Sequence, residues 1–241
     1  MRANRATKAD ATHGLGTDSM IHQGSEGAAF ATFQAVQAER GGVYARLGKR
    51  LFDLSLLLVL SPFALALVGA LALLAKLDGG PAFYGQARVG RAGRIFTCWK
   101  IRTMVPDAEA RLEECLRDPA RRAEWDETQK LKDDPRVTRV GRFLRATSFD
   151  ELPQLWNILR GEMSFVGPRP FTPDQTRLYP GLAYYALRPG LTGFWQVGDR
   201  NDVSFAARAV DDARYARELS LRTDLVTLAR TAKVVLACTG R

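Results

Sequence analysis

Hydrophobic positions divide the 241-residue chain into a polar start, one long apolar run and a patterned remainder. Residues 1–42 are rich in Ala, Gly, Thr, Gln and Ser and hold no sustained apolar period. They predict a mobile tail, with a short helix over Ala28–Ala38. No secretory signal is expected, because the first long apolar run begins too far in. That run lies within YARLGKRLFDLSLLLVLSPFALALVGALALLAKLDGG and carries no charge from Leu54 to Ala75. A membrane-crossing helix takes about 20 apolar residues, so the length suffices. Ser61-Pro62 interrupts it near the middle. A proline removes one helical N–H and crowds the preceding turn, so a kink or break is expected there. Arg46, Lys49 and Arg50 precede the run, and Lys76, Arg88, Arg91 and Arg94 follow it. Positive charge favours the cytosolic side. A re-entrant helix–break–helix hairpin over 43–78 satisfies these features, with the Ser61 hydroxyl serving a backbone group freed at the break. A single spanning helix and a buried core helix are the alternatives.

Beyond Gly79-Gly80-Pro81 the pattern changes. Ala82–Met104 alternates apolar and polar residues around glycines, which predicts short strands joined by a turn at Arg91-Ala92-Gly93. Pro106–Lys132 predicts a charged helix with Leu112, Leu116 and Trp125 as its apolar contacts, ended by Asp133-Asp134-Pro135. Val137–Asn157 reads as mainly helical, with a boundary near Thr147–Asp150. Gly161–Pro173 and Arg188–Gly193 read as loops, the second leading into a strand over Phe194–Val197. Phe205–Glu218 and Asp224–Cys238 have the period of amphipathic helices. The fold class is therefore α/β and helix-dominated: a membrane hairpin plus a small cytosolic domain over 79–241, with short strands and interfacial amphipathic helices.

Composition narrows the chemistry. The net charge of +9 favours anionic partners such as lipid head groups, phosphorylated substrates or nucleic acid. Cys98, Cys115 and Cys238 are widely spaced, which argues against a disulfide framework or a zinc site. The only histidines, His13 and His22, lie in the polar start. Histidine relays are thereby excluded from the body of the chain, leaving carboxylates, Lys and Arg.

The strongest local signal is Asp150-Glu151 within RATSFDELPQLWN. Pro153 is tolerated only in a first helical turn, so the acid pair sits at or just before a helix start. Ser148 and Glu151 have capping-box spacing, so the simplest reading makes the acids helix caps and dipole partners. The functional alternative is an anion site made with Arg145, in which a carboxylate attacks phosphorus while cations offset the charge. Lys100 and Arg102 alternate onto one strand face, and Arg169 is held between two prolines in GPRP; arginine suits bidentate phosphate contact. Gly90 and Gly93 match no dinucleotide or P-loop fingerprint. Phe96, Trp99 and Trp195 fit core packing, and no nucleic-acid motif accompanies them, so no nucleic-acid partner is expected. A basic binding module on an anchor is the non-catalytic alternative.

KRLFDLSLLLVLSP, WKIRTM, TSFDELPQLWNILRGEMSFVGPRP and RPGLTGFWQV, in that order from about Lys49 to Cys238, resemble the bacterial sugar transferase family. These are monotopic phosphoglycosyl transferases of the polyprenol phosphate pathway. The resemblance implies transfer of a sugar phosphate from a UDP-sugar to undecaprenyl phosphate, with release of UMP, at the cytoplasmic face of the bacterial inner membrane. It implies that Asp150 is the nucleophile and holds Mg²⁺, that Glu151 is its acidic partner, and that Lys100, Arg145 and Arg169 bind phosphate; Arg102 is expected to join them from its shared strand face with Lys100. Ser61-Pro62 matches the break of the membrane helix. The chain resembles the short catalytic-core type, including members that initiate exopolysaccharide. The sugar and the oligomeric state are left open.

Overall fold

The computed structural model describes residues 42–77, 79–128, 131–198 and 205–236. The predicted tail up to residue 41, its helix at Ala28–Ala38, and Cys238 lie outside them.

A π-helical turn, Tyr44–Gly48, runs into the helix α1, Lys49–Lys76. This is one helix of 28 residues, and Pro62 lies inside it rather than between two helices. Proline cannot donate to the carbonyl four residues back, which here is that of Leu58. The Ser61 hydroxyl donates to that same Leu58 carbonyl at 3.2 Å. The orphaned acceptor is thus satisfied locally, and helical hydrogen bonding continues on both sides.

Only the two ends of α1 are buried. Lys49, Asp53 and Leu57 are covered at one end, and Leu71, Ala72 and Ala75 at the other. Between them Leu58, Phe63 and Leu65 are each more than 70% exposed. A helix apolar all round finds no stable place in water. α1 is long and apolar enough to cross a membrane.

The two ends are fastened to one body. Arg50 donates to the carbonyls of Ile158 and Leu159 at 2.6 and 2.9 Å. Buried Asp53 accepts from the Ser164 hydroxyl and the Phe165 amide, and Lys49 pairs with Asp224 at 2.8 Å. At the far end the Ala75 carbonyl takes a 2.7 Å bond from Arg102.

Strands β1 (Phe83–Val89) and β2 (Ile95–Ile101) form an antiparallel hairpin, closed by the turn Arg91–Gly93 where it was expected. The chain then makes an excursion through α2 (Ala108–Cys115) and α3 (Pro119–Thr128). One helix was expected over Pro106–Lys132. Pro119 instead opens a second one, since the residue before a proline is pushed out of the helical region. The excursion returns to its origin: Val105 donates to the Arg136 carbonyl and Thr138 to the Thr103 carbonyl.

Next come α4 (Arg139–Thr147), a 3₁₀ turn (Phe149–Glu151) and α5 (Gln154–Arg160), with the boundary where the sequence placed it. The two predicted loops each contain a three-residue strand, β3 (Ser164–Val166) and β4 (Gly190–Thr192), paired in parallel. Between them lie a 3₁₀ turn (Pro173–Leu178) and the short helix α6 (Ala183–Ala186). Phe194–Val197 is a helical turn, α7, and not the expected strand. Its would-be partner strand stops at Val166 before Gly167-Pro168, so no ladder is available; the Val197 amide bonds back to the Gly193 carbonyl instead. Helices α8 (Arg208–Glu218) and α9 (Leu221–Leu236) complete the described chain.

Candidate active site

The site forms where β2, the 3₁₀ turn and the GPRP loop meet. Asn157 of α5 fixes the first junction. It is fully buried, accepts from the Trp99 amide at 3.1 Å, and donates to the Thr97 carbonyl at 2.7 Å. Both bonds go to the backbone of β2, so α5 is held in register with the strand that carries Lys100. On the other side, α4 presses its Gly141 onto the end of β2. A Cβ there would lie 2.0 Å from the Thr103 carbonyl oxygen, so only glycine permits this approach.

Between α4 and the 3₁₀ turn stands Ser148, with φ at 59° in the left-handed region. A non-glycine residue adopts that region at a cost and marks a forced reversal. The reversal points the acid pair back toward β2. Ser148 makes no side-chain cap bond, and neither does Pro153 ahead of α5. The capping-box geometry is therefore absent, and both acids face cations.

Glu151 Oε1 lies 2.7 Å from Lys100 Nζ and 3.4 Å from Arg169. Lys100 Nζ is 3.8 Å from Asp150 Oδ2. The three groups are largely shielded from water, which strengthens these attractions. The two adjacent acids are driven apart. Burial pushes Glu151 up, but Lys100 and Arg169 outweigh it and bring its pKa down to about 2. Asp150 moves the other way: burial and the Glu151 charge raise it above the ordinary aspartate range, against the pull of Lys100 and Arg145.

The structure brings Lys100, Arg169 and Arg145 to the acids. Arg145 is held by a 2.9 Å bond to the Thr103 hydroxyl, and its charge acts on Asp150. Arg102 is not brought there. Its three nitrogens donate to the carbonyls of Pro81, Met104 and Ala75, each at 2.7 Å. Alternation placed it beside Lys100, but β2 ends at Ile101, and the guanidinium clamps the end of α1 instead. Ser61 and Pro62 sit in the exposed middle of α1.

Arg169 owes its position to its loop. Gly167 lies so close to the opposite backbone that a Cβ would meet the Arg188 carbonyl at 2.4 Å. Bonds from Gly167 to the Thr192 carbonyl and from Gly190 to the Pro168 carbonyl fix the loop, and Val89 donates to the Phe171 carbonyl beyond it. The resulting cleft is lined by Arg88, Cys98, Lys100, Glu151, Gln154 and Arg169, among others. Neither Arg88, counted only among the charges after the apolar run, nor Gln154 was named as a site residue from the sequence. Arg88 reaches the Pro170 carbonyl at 3.2 Å and Gln86 at 2.6 Å. Its position in an alternating strand with Gln86 was the available signal.

Among the described residues, no group of three or more His, Cys, Asp or Glu side chains could hold a metal alone. That does not disfavour Mg²⁺, which takes one or two carboxylates and completes its shell with waters and substrate phosphates. Asp150 fits such a role, because Glu151 is already committed to Lys100 and Arg169.

Comparison with known proteins gives a consistent result. A family model described as bacterial sugar transferase matches residues 44–238. A UDP-galactose-lipid carrier transferase from Erwinia amylovora is 49% identical over 199 residues, covering 81% of this chain and 42% of the relative. An undecaprenyl-phosphate galactose phosphotransferase from Salmonella typhimurium is 47% identical, with the same coverage of each chain. The exopolysaccharide production protein ExoY from Sinorhizobium fredii is 46% identical over 203 residues, covering 83% of this chain and 88% of the relative. The chain thus spans under half the length of the first two relatives and most of the third.

Proposed function

The chain belongs to the bacterial sugar transferase family, and from that premise we propose that it moves a sugar phosphate from a UDP-sugar to a polyprenol phosphate through a covalent intermediate on Asp150. One observation carries the assignment. Glu151 is locked between Lys100 and Arg169, whereas Asp150 has its nearest cation, Lys100, at 3.8 Å. Glu151 is then the anchor that positions two cations, and Asp150 is the carboxylate free to react.

In the first step an Asp150 oxygen attacks the β-phosphorus of the UDP-sugar. The bond from that phosphorus to the bridging oxygen breaks, and UMP leaves with the electron pair. Lys100, Arg169 and Arg145 offset the charge on the phosphates. In the second step an oxygen of undecaprenyl phosphate attacks the same phosphorus. The acyl phosphate bond breaks, the Asp150 carboxylate is restored, and a polyprenyl diphosphate sugar results. Mg²⁺ held by Asp150 and the substrate phosphates would supply further neutralisation of the diphosphate. The name of one relative, exopolysaccharide production protein ExoY, supports reading this transfer as the first step of exopolysaccharide or other glycoconjugate assembly.

The acceptor is a membrane lipid, which gives the exposed middle of α1 its purpose. Both ends of α1 are seated on the same body while its middle is exposed. A helix bent at Pro62 and dipping into the cytoplasmic leaflet meets this arrangement, with the site at the head-group plane. UMP release measured over a panel of UDP-sugars, with and without undecaprenyl phosphate, tests the function. UDP-galactose heads the panel, given the names of two relatives. Ligand binding without UMP release from any donor would instead support a non-catalytic binding module.

A further inference from the structure

Gln154 is the first residue of α5, and it lines the cleft beside Glu151, Lys100 and Arg169. Only 2% of it is exposed. Among the described residues, no protein group hydrogen-bonds its side-chain amide, and the amide is not among the polar atoms sealed from water without a partner, so the little exposure it keeps opens on the cleft. Its charged neighbours are engaged: Lys100 and Arg169 with Glu151, and Arg88 with Gln86 and the Pro170 carbonyl. An amide that faces a cleft with no protein partner is met there by water, which a ligand group must replace with hydrogen bonds of its own. An amide left so at the wall of a cleft is matched when a ligand enters.

The chemistry of the amide selects the ligand group. Gln offers both N–H donors and a carbonyl acceptor. Phosphate oxygens accept only, and three cations already serve them. A hydroxyl both donates and accepts, and so uses both halves of the amide. Of the hydroxyl-bearing parts of the donor, the sugar is bonded to the phosphorus that Asp150 attacks. The ribose lies one phosphate further off. We propose that Gln154 hydrogen-bonds a ring hydroxyl of the transferred sugar. This inference rests on the sugar phosphate transfer proposed above.

The test compares the best UDP-sugar with its singly deoxygenated forms, read as UMP release in the presence of undecaprenyl phosphate. Sites built to bond a substrate hydroxyl reject the analogue that lacks it strongly. The wild type is expected to lose roughly 100-fold or more in kcat/KM on one sugar-deoxy donor. Gln154→Met is expected to lose turnover on the parent donor and to use that deoxy donor no worse than the parent. Inhibition by UMP should be unchanged in the variant. Gln154→Asn keeps the amide but withdraws it by one methylene. It is expected to lose the same discrimination, and it serves if Gln154→Met fails to fold. Equal use of every sugar-deoxy donor by the wild type would overturn the proposal. So would wild-type discrimination persisting in the variants, or a penalty that falls only on loss of a ribose hydroxyl. A wild type that releases no UMP from any UDP-sugar overturns the transfer reading itself, a result distinct from these.

Discussion

Lys100 and Glu151 meet at 2.7 Å across the seam between β2 and the 3₁₀ turn, and this contact separates the roles of two adjacent acids. Hydrogen bonds to charged groups contribute roughly 1.5–3 kcal/mol. Lys100→Met removes that bond and the cation nearest Asp150 together. Formation of the phosphosugar adduct is expected to slow roughly 10- to 150-fold, on the scale of tenfold per 1.36 kcal/mol. Rapid-quench measurement of a single turnover checks it.

The pH dependence follows from the raised Asp150. A carboxyl whose pKa is raised loses its proton later as pH rises, so the reactive carboxylate appears above the ordinary aspartate range. Without Mg²⁺ the acid limb of adduct formation should be displaced upward from that range, and Mg²⁺ bound at Asp150 should draw it back down. Glu151→Gln removes a negative neighbour that holds Asp150 up. The limb in the surviving activity should then move to lower pH. A single-turnover pH profile of the variant reads this shift.

Glu151 carries an opposite stability signature. Its pKa falls from the usual 4.5 to about 2 in the folded chain. The stabilisation is present above the unfolded value and is lost as pH drops through about 2. Wild-type melting temperature in detergent should therefore fall between about pH 4.5 and 2, by more than in Glu151→Gln.

Asn157→Ala leaves the Trp99 amide and the Thr97 carbonyl without their buried partner. Each unsatisfied group costs about 1–3 kcal/mol. Urea unfolding should show a loss of a few kcal/mol. Turnover should fall beyond what the loss of folded protein explains, because α5 and β2 are no longer held in register.

The bend proposed at Pro62 carries a topology prediction. Single cysteines at Val43 and Leu77, in a chain freed of Cys238, should both label from the cytosolic side. Labelling of one end from the opposite side would establish a spanning helix instead. Cys98 and Cys115 are buried and contribute little background.

Much of this was legible along the chain because the determinants are local. The turn at Arg91–Gly93 and the boundary at Ser148 follow from turn residues and from Pro153. What was not legible depends on distant partners. β3 and β4 are three residues each, too short to show a period, and each is a strand only because of the other. Phe194–Val197 has strand composition but no free edge beside it. Arg102 shares its alternation with Lys100, yet the carbonyls waiting beyond the end of β2 decide its fate. Gln154 was not singled out along the chain. Its place in the cleft, beside Arg169 and Pro170 of the GPRP loop, gives it meaning.

The most direct test is the mass of the intact protein after incubation with a UDP-sugar and Mg²⁺ without lipid acceptor. The account predicts a gain of one sugar phosphate, mapped to Asp150, discharged by added undecaprenyl phosphate and absent from Asp150→Asn. Turnover that proceeds near normally in Asp150→Asn, or an adduct mapped to another residue, would contradict it.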